Sequence, residues 1–211
     1  MIQSDIICII GGGPSAKLIN YDSVKKHSYL LGVNDSAFNQ DCHGVFSMDG
    51  AWLSNRWQQA KALDIDCFFR LSAYAKHVGI EHTWDKLELI RIDPYSYSLS
   101  EIKGRINGRS SGFCALNYAV LCKPKAIYLF GFDLRQDNNK RCHWYKEYEW
   151  SPKGKPSVYP MWRWDFENAA KQCRTLRVPV YNVSNISLIT GFEVVEPRDF
   201  KSHFGRIYHT E

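Results

Sequence analysis

The chain has 211 residues, 45% of them hydrophobic and 23% charged, the balance of one well-buried domain or at most two small ones. This excludes a mostly disordered chain, a collagen-like repeat and a long coiled coil, and no run of about 18 apolar residues is present to cross a bilayer. The net charge of +5 is dispersed in pairs such as Lys25-Lys26 and Lys140-Arg141, which suits a solvated surface and phosphate-bearing ligands better than a nucleic acid.

Met1 to Asp5 lacks a basic flank and leads straight toward glycines, so it does not read as a signal peptide. Ile6–Ile10 is a continuous, mostly β-branched run, the pattern of a strand buried on both faces. Gly11-Gly12-Gly13-Pro14-Ser15 follows at once. Glycines after a strand let the backbone approach a phosphate, a following helix start favours its charge, and Ser15 can cap that helix or donate to a phosphate oxygen. The loop is neither a Walker A motif nor a Gly-x-Gly-x-x-Gly fingerprint, since Gly-Lys-Ser/Thr is missing and position 16 is alanine.

The next strand, Tyr29–Val33, ends at Asn34-Asp35; Asn34 suits a base or sugar edge and Asp35 a helix cap. Gly44–Met48, Asp66–Arg70 and Leu87–Ile92 are further strand candidates, with a helix over Ala51–Leu63 between two of them. Asn107-Gly108-Arg109-Ser110-Ser111-Gly112 then opens an apolar helix marked by Phe113, Leu116, Ala119 and Val120. One serine serves as an ordinary cap, which leaves Ser111 and Gly112 for an anion or hydroxyl ligand. Ala126–Phe130 is a buried strand followed by Gly131-Phe132-Asp133, and Asp133 there suits a sugar hydroxyl, a base edge or a catalytic partner. The stretch 135–163 has weak periodicity and contains Pro152, Gly154, Pro156 and Pro160; it reads as a long loop or lid. Its aromatics, Trp144, Tyr145, Tyr148, Trp150, Tyr159, Trp162 and Trp164, can stack on sugars or bases, or pack the lid onto the sheet. A helix with Phe166, Ala169, Ala170 and Cys173 on one face and a strand over Val178–Val183 complete the series.

Strands alternating with helices imply an α/β chain with a mostly parallel sheet covered by helices on both faces, its ligands beyond the carboxyl ends of the strands. The seven cysteines are odd in number, form no Cys-x-x-Cys pair and sit partly in apolar runs, which points to a reducing cytoplasm.

The ordered set Gly11–Ser15, Asn34, Ser110-Ser111-Gly112, Ile127 to Asp133 and Val180 to Leu188 resembles the bacterial sialyltransferases that elaborate lipooligosaccharides and the Rossmann-like proteins related to them, over roughly Ile6 to Phe192. The resemblance implies a single Rossmann-like domain over 1–211, with the lid at 135–163 over its crevice. It implies transfer of a sugar from a nucleotide-sugar donor to a hydroxyl of an acceptor glycan or other acceptor, without a metal and with no cofactor besides the donor. Gly11, Gly12, Gly13, Pro14, Ser15, Asn34, Ser110, Ser111, Gly112 and Gly131 are then the donor-binding candidates. Gly12 stands where that family's loop has asparagine, and Tyr159 or Pro160 where its lid carries a histidine. The expected replacement base is His143, with Asp133 to orient it and Tyr145 or Tyr159 to stabilise the leaving phosphate; the alternative for His143 is a surface residue in an aromatic hinge.

Three other readings share the fold. In a pyrophosphate-transferring enzyme, Asp133 and other crevice carboxylates would hold magnesium. A protein without turnover would only bind the nucleotide or nucleotide sugar. An enzyme that glycosylates a nucleic-acid base is compatible with the +5 charge and the aromatic lid but is not favoured. A homo-oligomer is compatible with all of these.

Overall fold

The computed structural model of the chain describes residues 1–146, 148–150 and 156–209, the last by its backbone alone; Pro152 and Gly154 of the expected lid lie outside them. Among the described residues nine strands form one sheet: β1 (Ile6–Ile10), β2 (Tyr29–Val33), β3 (Gly44–Ser47), β4 (Asp66–Arg70), β5 (Leu87–Asp93), β6 (Arg105–Asn107), β7 (Ala126–Phe130), β8 (Val180–Val183) and β9 (Glu193–Val195). Their order is β6-β5-β4-β3-β2-β1-β7-β8-β9, and every neighbouring pair is parallel. The chain builds outward from β1 on one side, then crosses back to add β7 on the other. The reversal of strand order between β1 and β7 opens a crevice at their carboxyl ends.

Alternation along each strand divides the core in two. Ile7 and Ile9 point to the face covered by α5 (Ser111–Leu121) and α6 (Tyr159–Leu176), where Phe113, Leu116, Phe166 and Ala170 pack. Ile6, Cys8 and Ile10 point to the face covered by α3 (Gly50–Ala62), α4 (Leu71–His77) and α7 (Phe200–His209), with Trp52, Tyr74, Phe200 and Phe204. Two single-turn helices, α1 (Asp22–Lys25) and α2 (Ser36–Asn39), bridge the early strands. None of the seven cysteines forms a disulfide among the described residues, and burial pushes the thiols of Cys8, Cys42, Cys67 and Cys173 up to about 12, as expected of small core residues.

Two short edge strands, β6 and β9, add to the seven expected ones. The lid is also shorter than expected: α6 begins at Tyr159 with Pro160 in its first turn, where a proline's missing N–H costs nothing. Tyr159–Arg163 are therefore helical. None of the helices described is long and apolar enough to cross a membrane.

His43, just before β3, accepts a hydrogen bond on Nδ1 from the backbone N–H of Leu30 at 2.9 Å, which requires an unprotonated nitrogen. Burial, helped by the Lys25 charge, lowers its pKa below the ordinary 6.5. Between the folded and ordinary values the unfolded chain binds more protons, so stability there rises with pH. Stability is expected to be full above pH 6.5, to fall as pH drops below it, and to level off below the folded value. Urea midpoints measured across this range should show a smaller acid loss in His43→Gln than in the wild type; equal losses would remove His43 as the cause.

Candidate functional site

The first loop after β1 lies against the end of β7. Gly11 N–H donates to the Phe130 carbonyl at 2.7 Å and Gly13 N–H to the Gly131 carbonyl at 2.8 Å. A Cβ on Gly13 would stand 2.6 Å from both the Gly131 carbonyl and Asp133 Oδ2, and one on Gly11 would stand 2.8 Å from that carbonyl. Both glycines are thus required by the close approach of two backbones. Gly12 differs: a Cβ there would meet the His143 ring at 2.7 Å and the Tyr145 hydroxyl at 3.2 Å.

Asp133 is fully buried, and its carboxylate, an acceptor only, is taken up by three donors. Ser15 N–H reaches Oδ2 at 2.7 Å, Ser15 Oγ reaches Oδ1 at 2.6 Å, and Ser184 Oγ, just past β8, reaches Oδ1 at 2.7 Å. The carboxylate laces together the ends of β1, β7 and β8 and does not face the crevice. This corrects the sequence expectation for Asp133 as the partner of His143 and for Ser15 as a donor contact. Pro14 is likewise buried, at the start of a short 3-10 turn over Pro14–Leu18.

Above this knot is a cavity of about 450 Å³. Gly11, Gly12, Gly13, Asn34, Ser110, Ser111, Gly112 and Gly131 line it, together with His143, Tyr145 and Tyr159. Ser110 caps α5 by accepting from Phe113 N–H at 3.3 Å, and Ser111 Oγ accepts from Met48 N–H at 3.2 Å, which fixes α5 to the end of β3. Each hydroxyl keeps its own proton for a ligand. Asn34 has a left-handed backbone with φ of 54°, and its side-chain oxygen is buried without a hydrogen-bond partner among the described residues. Asp35 does not cap a helix with its side chain; it accepts from Trp52 Nε1 at 2.8 Å.

The segment around Trp144 is fastened over the first loop. Trp144 donates its backbone N–H to the Gly12 carbonyl at 2.9 Å and its indole N–H to the Gly11 carbonyl at 3.1 Å. His143 stacks on Tyr145 at 5.0 Å, and the Tyr145 and Tyr148 hydroxyls pair at 3.0 Å. Burial pushes the Tyr148 hydroxyl well above the ordinary phenol value. Tyr148 stacks on Trp150 at 4.9 Å, and the Arg56 guanidinium of α3 lies 4.9 Å over Trp150. Trp144, Tyr145, Tyr148 and Trp150 thus pack this segment down, while Trp162 lines the cavity and Trp164 stands half exposed against Tyr97 at 4.7 Å.

Three arginines in the lining, Arg70, Arg109 and Arg135, carry no role in the expectations from sequence. Arg109 is paired with the buried Asp165, its Nε donating to Oδ2 at 3.1 Å, and this partner holds its charge more firmly than usual. Arg70 ends β4, so the rule that directs attention to strand ends could have found it. Among the described residues no group of three or more His, Cys, Asp or Glu could hold a metal ion.

No protein-family model and no curated protein matches the sequence. Solved structures match in fold. One is the sialyltransferase CstII from Campylobacter jejuni with the substrate analogue cytidine-5'-monophosphate, at TM-score 0.57 and 16% identity, covering 90% of this chain and 84% of the other. The monofunctional α-2,3-sialyltransferase Cst-I from the same organism matches at TM-score 0.58 and 17% identity, with 92% and 81% covered. CstII in complex with a trisaccharide acceptor and CMP matches at TM-score 0.52 and 15% identity, with 89% and 84% covered. The parallel α/β fold of this chain is thus similar to that of these sialyltransferases.

Proposed function

We propose that the chain is a metal-independent glycosyltransferase-like enzyme, of sialyltransferase type, moving a sugar from a nucleotide-sugar donor to a hydroxyl of an acceptor glycan. The observation that carries this reading is the lining of one cavity by two backbone-rich loops, Gly11–Gly13 and Ser110–Gly112, together with His143, Tyr145 and Tyr159. The donor phosphate rests on the amides and hydroxyls of those loops, and Asn34 Oδ1 accepts from the base or ribose. His143 removes the proton of the acceptor hydroxyl as its oxygen bonds to the anomeric carbon. The bond from that carbon to the phosphate oxygen breaks, and the nucleotide leaves with its charge met by tyrosine hydroxyls, backbone N–H groups and Arg109. Asp133 has no part in these steps. A reducing compartment, the cytoplasm, suits seven cysteines without a disulfide among the described residues.

Thermal midpoints measured with a panel of nucleotides and nucleotide sugars, each with and without magnesium, test the reading. Cytidine nucleotides come first because a neighbour in fold holds CMP. A ligand at about 100 times its Kd adds about 2.7 kcal/mol, worth about 5–10 °C in a chain of this size. A shift of that size without magnesium supports the proposal. A shift only with magnesium favours pyrophosphate transfer, and no shift with any nucleotide sinks the donor site.

A further inference from the structure

The three guanidinium groups of the cavity differ in how their charge is met. Arg109 has the buried Asp165 and lies 5.7 Å from the Tyr97 ring. Arg135 is exposed and reaches the Ile186 carbonyl at 3.5 Å. Arg70 is half buried, and among the described residues its Nε, closed to water, has no hydrogen-bond partner and no carboxylate lies within ion-pair distance of it. Asp49, the carboxylate in the same lining, is engaged by Ala51 N–H at 2.8 Å and Trp52 N–H at 3.4 Å at the start of α3.

A charged donor left unpaired in a water-poor site carries a penalty that an arriving anion removes. Arg70 ends β4, three strands from β1, which at about 4.8 Å per strand sets their backbones about 14 Å apart. A phosphate resting on the glycine loop is therefore not the group this side chain is placed to meet. We propose that Arg70 forms a subsite for a second oxyanion, a carboxylate or a phosphate monoester, carried by the transferred sugar or by the acceptor. This rests on the reading of the cavity as a nucleotide-sugar site. The planar fork of the guanidinium matches such a group with two parallel hydrogen bonds.

The test is calorimetric titration of the wild type, Arg70→Gln and Arg70→Lys. The probes are CMP and UMP, two acidic nucleotide sugars (CMP-N-acetylneuraminate and UDP-glucuronate), the neutral UDP-glucose, and the acceptor pair sialyllactose and lactose. In Arg70→Gln at least one acidic ligand is expected to weaken about tenfold or more, with CMP, UMP and the neutral ligands within about twofold of the wild type. Arg70→Lys should recover part of that loss. Weakening of an acidic nucleotide sugar assigns the anion to the donor, and weakening of sialyllactose assigns it to the acceptor. Unchanged affinity for every acidic ligand, equal weakening of acidic and neutral partners, or a wild type that binds no acidic ligand would each overturn the subsite. A wild type that binds sialyllactose but no nucleotide overturns the nucleotide reading instead, and the acceptor pair then decides Arg70 alone.

Discussion

Asp133→Ala is expected to lower folding stability by about 3–5 kcal/mol, a large share of the roughly 5–15 kcal/mol of a whole domain. The substitution leaves Ser15 N–H, Ser15 Oγ and Ser184 Oγ without their acceptor at a fully buried point. Each stranded donor costs about 1–3 kcal/mol, less what the loops recover by relaxing. In thermal melts this is about 6–20 °C at the sensitivity of a chain of this length. Asp133→Asn should fall between, because its carbonyl oxygen still accepts while its NH₂ meets a donor. A melt of Asp133→Ala within about 2 °C of the wild type, with turnover abolished, would return the carboxylate to the chemistry.

His143→Ala is expected to reduce turnover by about 10²–10⁴-fold, the usual contribution of a general base, while the midpoint shift caused by a nucleotide persists. Gly12→Ala supplies a companion. Its Cβ would come within 2.7 Å of the His143 ring, so the ring must move away from the first loop. A displacement of about 1 Å in a reacting group can cost about 10²-fold, so this variant should lose most of the same activity. In a His143→Ala background the clash has gone, and Gly12→Ala should then cost less than about threefold more, since the two changes act on one contact. Unchanged turnover in His143→Ala would favour a protein that binds without catalysing, or another base. Equal losses from Gly12→Ala in both backgrounds would mean that position 12 serves the phosphate directly.

The central strands are legible because a strand buried on both faces must be apolar throughout, as in Ile6–Ile10 and Ala126–Phe130. The edge strands Arg105–Asn107 and Glu193–Val195 are short and half polar, so nothing in their composition separates them from loop. The start of α6 is hidden by Pro160, which reads as loop in a sequence yet is well placed in a first turn. Most of the cavity lining is legible because it follows strand ends and glycines. Asp133 misleads for a definite reason: a carboxylate after a strand looks the same whether it faces a ligand or the interior. Its partners decide the matter, and Ser15 and Ser184 lie 118 and 51 residues away. Arg70 is missed in the opposite sense, since a charged residue ending a strand resembles an ordinary solvated one until its surroundings are known.

The place of β1 in the strand order has a consequence for synthesis. The strands from β2 to β6 emerge from the ribosome in the order in which they stack outward from β1. The opposite edge of β1 stays bare until Ala126–Phe130 arrives, more than a hundred residues later. For that interval the nascent chain exposes Ile6–Ile10, a row of unpaired backbone groups carrying β-branched side chains, the kind of edge that recruits other chains. Yield in a heterologous host should therefore depend on translation speed across residues 94–130 and on holding chaperones. A truncation before β7 should aggregate instead of forming half a protein.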